Sequence, residues 1–398
     1  MLRPLQRAGA LLVATLIGLS ACGGGGTSTA GNGVGSGGTG SYSNGPISGL
    51  GSIIVNSIRY TVSDSGTTVV RDDGVTTTSG SSLLKLGMLV EVSGGAVTAG
   101  SSGTDAATAT TVRYGSAMLG PVSAVGTLDA NGRPASVTVL GQRIAIDSKT
   151  VLPASIAVGD VIEVHALVQA ASALTATLIE VIDTGTTPVS DYKVTGIVTS
   201  VSGRTFTMGQ GGSVNVDLGS ASVPDGLRVG AVVRVWLGTT QSGGSWTATR
   251  VQVRSVLATD SREARLEGDV IATGTNQIVV NGVTVDTSRA TVTGTVTVGS
   301  RVEVKGQMSA GVLVASEVKV EDDEEIEQRE VELHGLVANL VSDSSFTVRG
   351  VNVAYTSSAV DSGLTLATDA CVEVRGTTYD SNRRLVATRI KSDNDCRQ

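Results

Sequence analysis

The sequence predicts an all-β protein: five tandem small β-barrel or β-sandwich domains that follow a disordered Gly-rich linker. Three observations carry that expectation. A strand of the form V/I-x-V recurs five times at a nearly constant interval. Val and Thr alternate apolar with polar over short segments, which suits half-buried strands, while Gly, Asn and Asp interrupt any helical period. Residues 22–44 hold ten glycines in 23 positions, too little apolar mass to bury a core.

In chain order, residues 1–21 carry Arg3 and Arg7 and then an apolar run from Ala8 to Leu19. This is the layout of a secretory signal peptide, and the run is too short for a membrane span. Leu19-Ser20-Ala21-Cys22 resembles the lipobox of bacterial lipoproteins. The resemblance implies acylation of the Cys22 thiol and, after cleavage, of its amine. Several acyl chains would give a stable membrane anchor. Gly23 rather than Asp follows the cysteine, which resembles the outer-membrane sorting signal of Gram-negative lipoproteins. The expected location is the bacterial cell envelope, as an outer-membrane lipoprotein facing the periplasm or the cell exterior. Residues 22–44 then form a tether with a root-mean-square reach of roughly 25 Å.

The repeated strand reads Leu89-Val90-Glu91-Val92, Val161-Ile162-Glu163-Val164, Val232-Val233-Arg234-Val235, Arg301-Val302-Glu303-Val304 and Cys371-Val372-Glu373-Val374. Its middle residues are separated by 72, 71, 69 and 70 positions. Each copy opens on a glycine before a Val-rich strand, at Gly45, Gly120, Gly196, Gly268 and Gly335. A second strand is expected at Ile53–Val62, Ser136–Ile146, Thr205–Met208, Gln277–Val285 and Ser345–Val353, and Asn281-Gly282 is a hairpin signal. A closing strand follows Ala109, Ala176, Ala248, Ala315 and Ala387. The repeats therefore span residues 45–116, 117–188, 189–260, 261–320 and 333–398, the last including the tail, with an acidic spacer at 321–332. An open sheet of this size would leave two reactive edges, so closure into a small barrel or sandwich is expected. With two Phe in the chain, the cores must be built from Val, Ile, Leu and Ala. Such thin cores stand as separate beads or lean on their neighbours.

The run Gly-Pro-Ile-Ser-Gly-Leu-Gly-Ser-Ile-Ile-Val-Asn-Ser-Ile-Arg-Tyr at 45–60, with the later Val-Gly-x-x-Val-Glu-Val, resembles the bacterial domain-of-unknown-function family 5666. The resemblance covers most of residues 45–392 and is most specific in the first and fourth repeats. It implies an exported, often lipid-anchored protein of tandem β-rich domains. No catalytic residues are established for that family, so it implies none here.

Removing residues 1–21 takes away two arginines and no acid, which moves the formal net charge from −7 to −9. Scattered basic residues and few aromatics argue against a nucleic-acid partner. The two histidines, His165 and His334, occupy different places in different repeats, so no metal or cofactor is expected and both read as solvated strand-end residues. Glu91, Glu163, Glu303 and Glu373 alternate with inward valines and are expected to face solvent, with Arg234 showing that the position accepts the opposite charge. The run 321–332 reads as an extended or frayed-helical spacer kept open by self-repulsion, with weak Ca²⁺ binding as the alternative. Cys371 and Cys396 are disulfide candidates, because two free thiols are disfavoured in an oxidising compartment.

The expected function is non-enzymatic. A lipid-anchored envelope protein would use tandem β-domains for weak multivalent binding of an envelope glycan or protein, or for structural spacing. The alternative is a carboxylate-dependent glycan hydrolase using Asp72 or Asp73, or Asp217 or Asp286. It requires two carboxyl groups converging about 5–9 Å apart in a cleft, and no such cleft is expected.

Overall fold

The computed structural model describes residues 40–77, 80–100, 104–168, 174–183, 189–209, 212–254, 256, 260–394 and 396. The signal segment, Cys22 and the linker up to residue 39 lie outside the described residues.

All five repeats have one topology. In repeat 5 the strands are Val331–Val341, Ser345–Val348, Val351–Ala354, Cys371–Tyr379 and Leu385–Ser392. The first pairs antiparallel with the second and the second with the third. The third pairs parallel with the fifth, the fifth antiparallel with the fourth, and the fourth antiparallel with the first. The ring closes in the order 1-2-3-5-4-1, a five-stranded Greek-key barrel of the OB-fold kind. Repeat 1 closes identically from its first strand Ser41–Leu50 to its fourth, Leu89–Gly94, and fifth, Asp105–Tyr114. Repeats 2, 3 and 4 follow suit.

The opening glycines have a common steric cause. In four repeats the expected second strand is a tight hairpin, broken at Asn56-Ser57, Leu140-Gly141, Asn281-Gly282 and Arg349-Gly350, where both turn residues have positive φ. Such primed turns match the twist of the flanking strands. The first turn residue lies back over the opening glycine. A Cβ there would fall 2.4 Å from Asn56 Oδ1 at Gly45, 2.9 Å from Leu140 Cγ at Gly120 and 3.0 Å from Arg349 Cγ at Gly335. At Gly268 it would meet Asn281 Nδ2 at 2.4 Å, and that amide donates to Glu267 O at 2.6 Å. The two sequence signals are thus the two halves of one contact.

The barrels are not separate beads. First strands join across repeats: Ser41–Asn44 with Glu263–Leu266 in parallel, Gly49 and Leu50 with Glu332 and Leu333 in parallel, and Lys193 and Val194 with Leu119 and Met118 antiparallel. Repeats 1 and 5 share one hydrophobic core, containing Val55, Ile58, Leu333 and Phe346, and repeats 2 and 3 share another, containing Ile144, Ile162, Val233 and Leu237. Repeat 4 keeps its own core, capped by the fully buried Tyr42 of repeat 1.

Two expected boundaries move. The first strand begins at Ser41, inside the segment read as linker, because Tyr42 and Asn44 are buried against repeat 4. The opening strand of repeat 5 begins at Val331, inside the acidic spacer. What remains of that spacer holds a short helix, Asp323–Glu327. Asp322 caps it by accepting the Glu325 N–H at 2.8 Å, and its acidic first turn suits the helix dipole.

Candidate functional site: the polar junctions between repeats

Alternation along the fourth strand does turn the middle residue of each V/I-x-V away from its barrel. Outward, however, is into a neighbouring repeat. Glu91 and Glu373 are buried, and Glu163 and Glu303 are half-buried, which corrects the expectation that these glutamates face solvent. Across the first, fourth and fifth strands they form register rows: Asn44–Glu91–Arg113, Glu267–Glu303–Lys319 and His334–Glu373–Lys391. In repeat 3 the row is Thr195–Arg234–Gln252. Arg234 is no tolerated swap, since its Nε lies 3.3 Å from the buried Asp72 carboxylate of repeat 1.

The histidines are buried too, contrary to the strand-end reading. His165 sits among Glu163, Lys193, Asp72 and Lys85, and burial pushes its imidazole down to about 4. His334 faces Asp393 Oδ2 through Nδ1 at 2.7 Å and Glu332 Oε1 through Nε2 at 2.6 Å. Glu332, His334 and Glu373 bring ligand-type atoms within 4.8 Å of one another. Three bases already compensate them. Arg59 of repeat 1 binds Glu332 and lies 2.8 Å from His334 Nε2, Arg375 Nε donates to Glu373 at 2.7 Å, and Lys391 reaches the other Glu373 oxygen at 2.7 Å. Burial raises the Glu332 carboxyl, but His334, Arg59 and Arg375 together hold it below the ordinary glutamate range. The geometry is a charge-compensated knot between repeats 1 and 5.

A cavity of about 550 Å³ opens where repeats 1, 2, 4 and 5 meet. Glu267 and Glu321 converge there on a single guanidinium, Arg329. This corrects the expectation that no concave site holds two converging carboxylates. Burial pushes the Glu321 carboxyl up, and Arg329 opposes that shift. Lys149 of repeat 2 reaches the same wall, donating to Arg329 O at 2.9 Å and to Thr377 O. Of the other acids of the run, Glu325 pairs with Lys319 at 2.5 Å and Glu330 with Arg375 at 3.1 Å.

The four aspartates named from sequence are not brought together. Asp72 is buried, with Lys193 Nζ at 2.7 Å, and Asp73 pairs with Arg71 and accepts the Val75 N–H at 2.9 Å. Asp217 and Asp286 accept the N–H groups of Gly219 and Ser288 at 2.9 Å, both in turns. Cys371 and Cys396 form a disulfide with Cα atoms 5.7 Å apart.

Against known families, five segments match the model described as Domain of unknown function (DUF5666): residues 44–101, 120–180, 195–252, 267–319 and 334–391. The chain belongs to this family. Each DUF5666 segment falls within one barrel, although the first stops short of that barrel's fifth strand, Asp105–Tyr114. No curated protein matches. Among solved structures, the chain is similar to one titled drosophila Unr CSD456, at 13% identity over 52% of this chain and 98% of that one, with a TM-score of 0.14. A second is a multidomain protein with nucleic acid binding domains from Streptococcus pneumoniae TIGR4, at 9% identity over 49% of this chain and 72% of that one, with a TM-score of 0.13. The exclusion of nucleic-acid partners does not stand, because its premise fails: the bases of this DUF5666 chain are not scattered in space, and five arginines line one pocket. The signal was Arg250, Gln252 and Arg254, alternating onto one strand face opposite Arg234.

Proposed function

We propose that this protein is a non-enzymatic binding body of the bacterial cell envelope, anchored through lipid on Cys22, that engages an envelope glycan weakly at several barrels. The observation that carries the reading is which face each barrel leaves open. First, fourth and fifth strands turn toward neighbouring repeats, whereas the outer face of the second–third hairpin stays accessible in repeats 3 and 5. There it presents Thr207 and Asn215, and Thr347 and Asn352. This hairpin face is the one that OB-type barrels use for extended polymers. Its hydroxyls and amides suit a sugar chain, and repetition multiplies weak contacts through effective concentration. The non-enzymatic part rests on Glu267 and Glu321 sharing one guanidinium instead of flanking open space.

The test uses the mature chain from residue 22, titrated with isolated envelope polysaccharides and with short oligosaccharides cut from them. Retention by polymer with weak oligosaccharide binding is expected, reduced several-fold by Asn215→Ala with Asn352→Ala. In cells, Cys22→Ala should move the protein from the membrane to the soluble fraction. No retention by any envelope polysaccharide overturns the binding reading and leaves structural spacing in its place.

A further inference from the structure

We infer that the pocket where repeats 1, 2 and 3 meet is a phosphate-binding site, built from the register rows of repeats 1 and 3 set face to face. Its volume is about 200 Å³, room for a small anion rather than an extended ligand. Five guanidinium groups line it, from Arg71, Arg113, Arg234, Arg250 and Arg254, against two carboxylates, Asp72 and Glu91. The bases outnumber the acids they contact: Asp72 is shared by Lys193 at 2.7 Å and Arg234 Nε at 3.3 Å, Glu91 by Arg113 and Arg254 at 3.4 and 3.8 Å, and Arg71 pairs with Asp73. In a chain of net charge −7 this local cationic excess is a departure that no solubility argument requires.

The second observation is independent of charge. Among the described residues, three buried polar atoms of this pocket have neither a hydrogen-bond nor an ion-pair partner: Ser116 Oγ, Thr195 Oγ1 and Gln252 Oε1. Ser116 is 0% and Thr195 4% exposed, so both are buried in the pocket wall. A buried polar group left unpaired costs about 1–3 kcal/mol, and three around one space point to a ligand that satisfies them together. Hydrogen phosphate has the needed chemistry. Its charged oxygens accept from guanidinium forks and hydroxyls, and its own hydroxyl donates to Gln252 Oε1. The excess of arginines over acids fits a dianion better than a single carboxylate. The mouth is framed by exposed Arg71, Gly74 and Arg250. Arg250 is held in place by stacking on Trp236, 4.6 Å from the ring centroid, and by donating to Asp73 O at 3.0 Å.

The experiment is calorimetric titration of the mature chain with inorganic phosphate at low ionic strength. Saturable one-site binding that weakens with added salt is expected. Arg250→Gln, at the exposed mouth, should weaken it at least tenfold without unfolding the protein, and Ser116→Ala should weaken it several-fold. Arg389→Gln, at an exposed residue of repeat 5 that pairs with Asp361 and does not line the pocket, should leave it unchanged. Glucose 1-phosphate distinguishes the source: tighter binding than phosphate assigns the pocket to a phosphorylated glycan end, equal or weaker binding to the free anion. Absence of saturable binding, or binding that survives both Arg250→Gln and Ser116→Ala, overturns the inference.

Discussion

His165 shows how a single side chain can be misread from its position on a strand. It follows V/I-x-V in repeat 2, yet it is 1% exposed, with Asp72 and Lys85 of repeat 1 and Lys193 of repeat 3 acting on it. Burial opposes its protonation, Glu163 partly offsets that, and Lys193 adds to it. The folded imidazole titrates at about 4, against about 6.5 when unfolded. As pH falls from 6.5 toward 4, the unfolded chain takes up a proton that the folded chain refuses. Stability therefore drops through that window and levels off below it. The drop attributable to this group is up to about 3 kcal/mol. Urea midpoints measured across pH 7 to 4 should fall less steeply for His165→Leu than for the natural chain, and parallel curves would refute the assignment. Asn281 is the opposite case, legible in sequence as a hairpin residue, although its amide also reaches Asn44 Oδ1 of repeat 1 at 3.4 Å.

Among the elements, the last strand is the one with covalent support. Leu385–Ser392 ends the chain's final barrel, and the Cys371–Cys396 bond ties the segment beyond it to the start of the fourth strand, 25 residues back. The Asp393 N–H also donates to Cys371 O at 3.0 Å. Closing a loop of that length is worth about 3 kcal/mol in the chain-entropy account. Leu385 and Ile390 belong to the core that repeat 5 shares with repeat 1. Reduction should therefore weaken both repeats together, lowering their denaturation midpoint by the equivalent of about 2–3 kcal/mol. Hydrogen exchange with and without reductant separates this outcome from loss of repeat 5 alone. Unchanged protection in repeat 1 would show that the shared core does not couple the two.

At the scale of the whole molecule, the five sequence repeats make three hydrophobic cores among the described residues: repeats 1 with 5, 2 with 3, and 4 with Tyr42. Cooperative units should follow cores, not sequence copies. Calorimetry of residues 40–398 is expected to show no more than three unfolding transitions, and five resolved ones would contradict the shared-core assignment. The strand type, the near-70-residue period, the opening glycines and the Asn-Gly turn were all legible, because each arises within one barrel from alternation and turn chemistry. The junctions were not. Glu91 and Arg234 look alike from sequence as outward positions, and only the arrangement of repeats makes one row the partner of another.

Local physics explains that division. Alternating Val and Thr, punctuated by glycine, determined five small β-domains, barrel or sandwich, from sequence alone, since inward and outward residues are distinguished by parity on a strand. Parity cannot say what lies outside. Whether an outward glutamate meets water, an arginine or a buried histidine depends on which barrel edge docks beside it. That docking joins residues as far apart in sequence as Arg59 and Glu332. The tertiary structure alone decided that the outward rows of repeats 1 and 3 enclose a cationic pocket, because both charge and burial there are properties of two surfaces meeting.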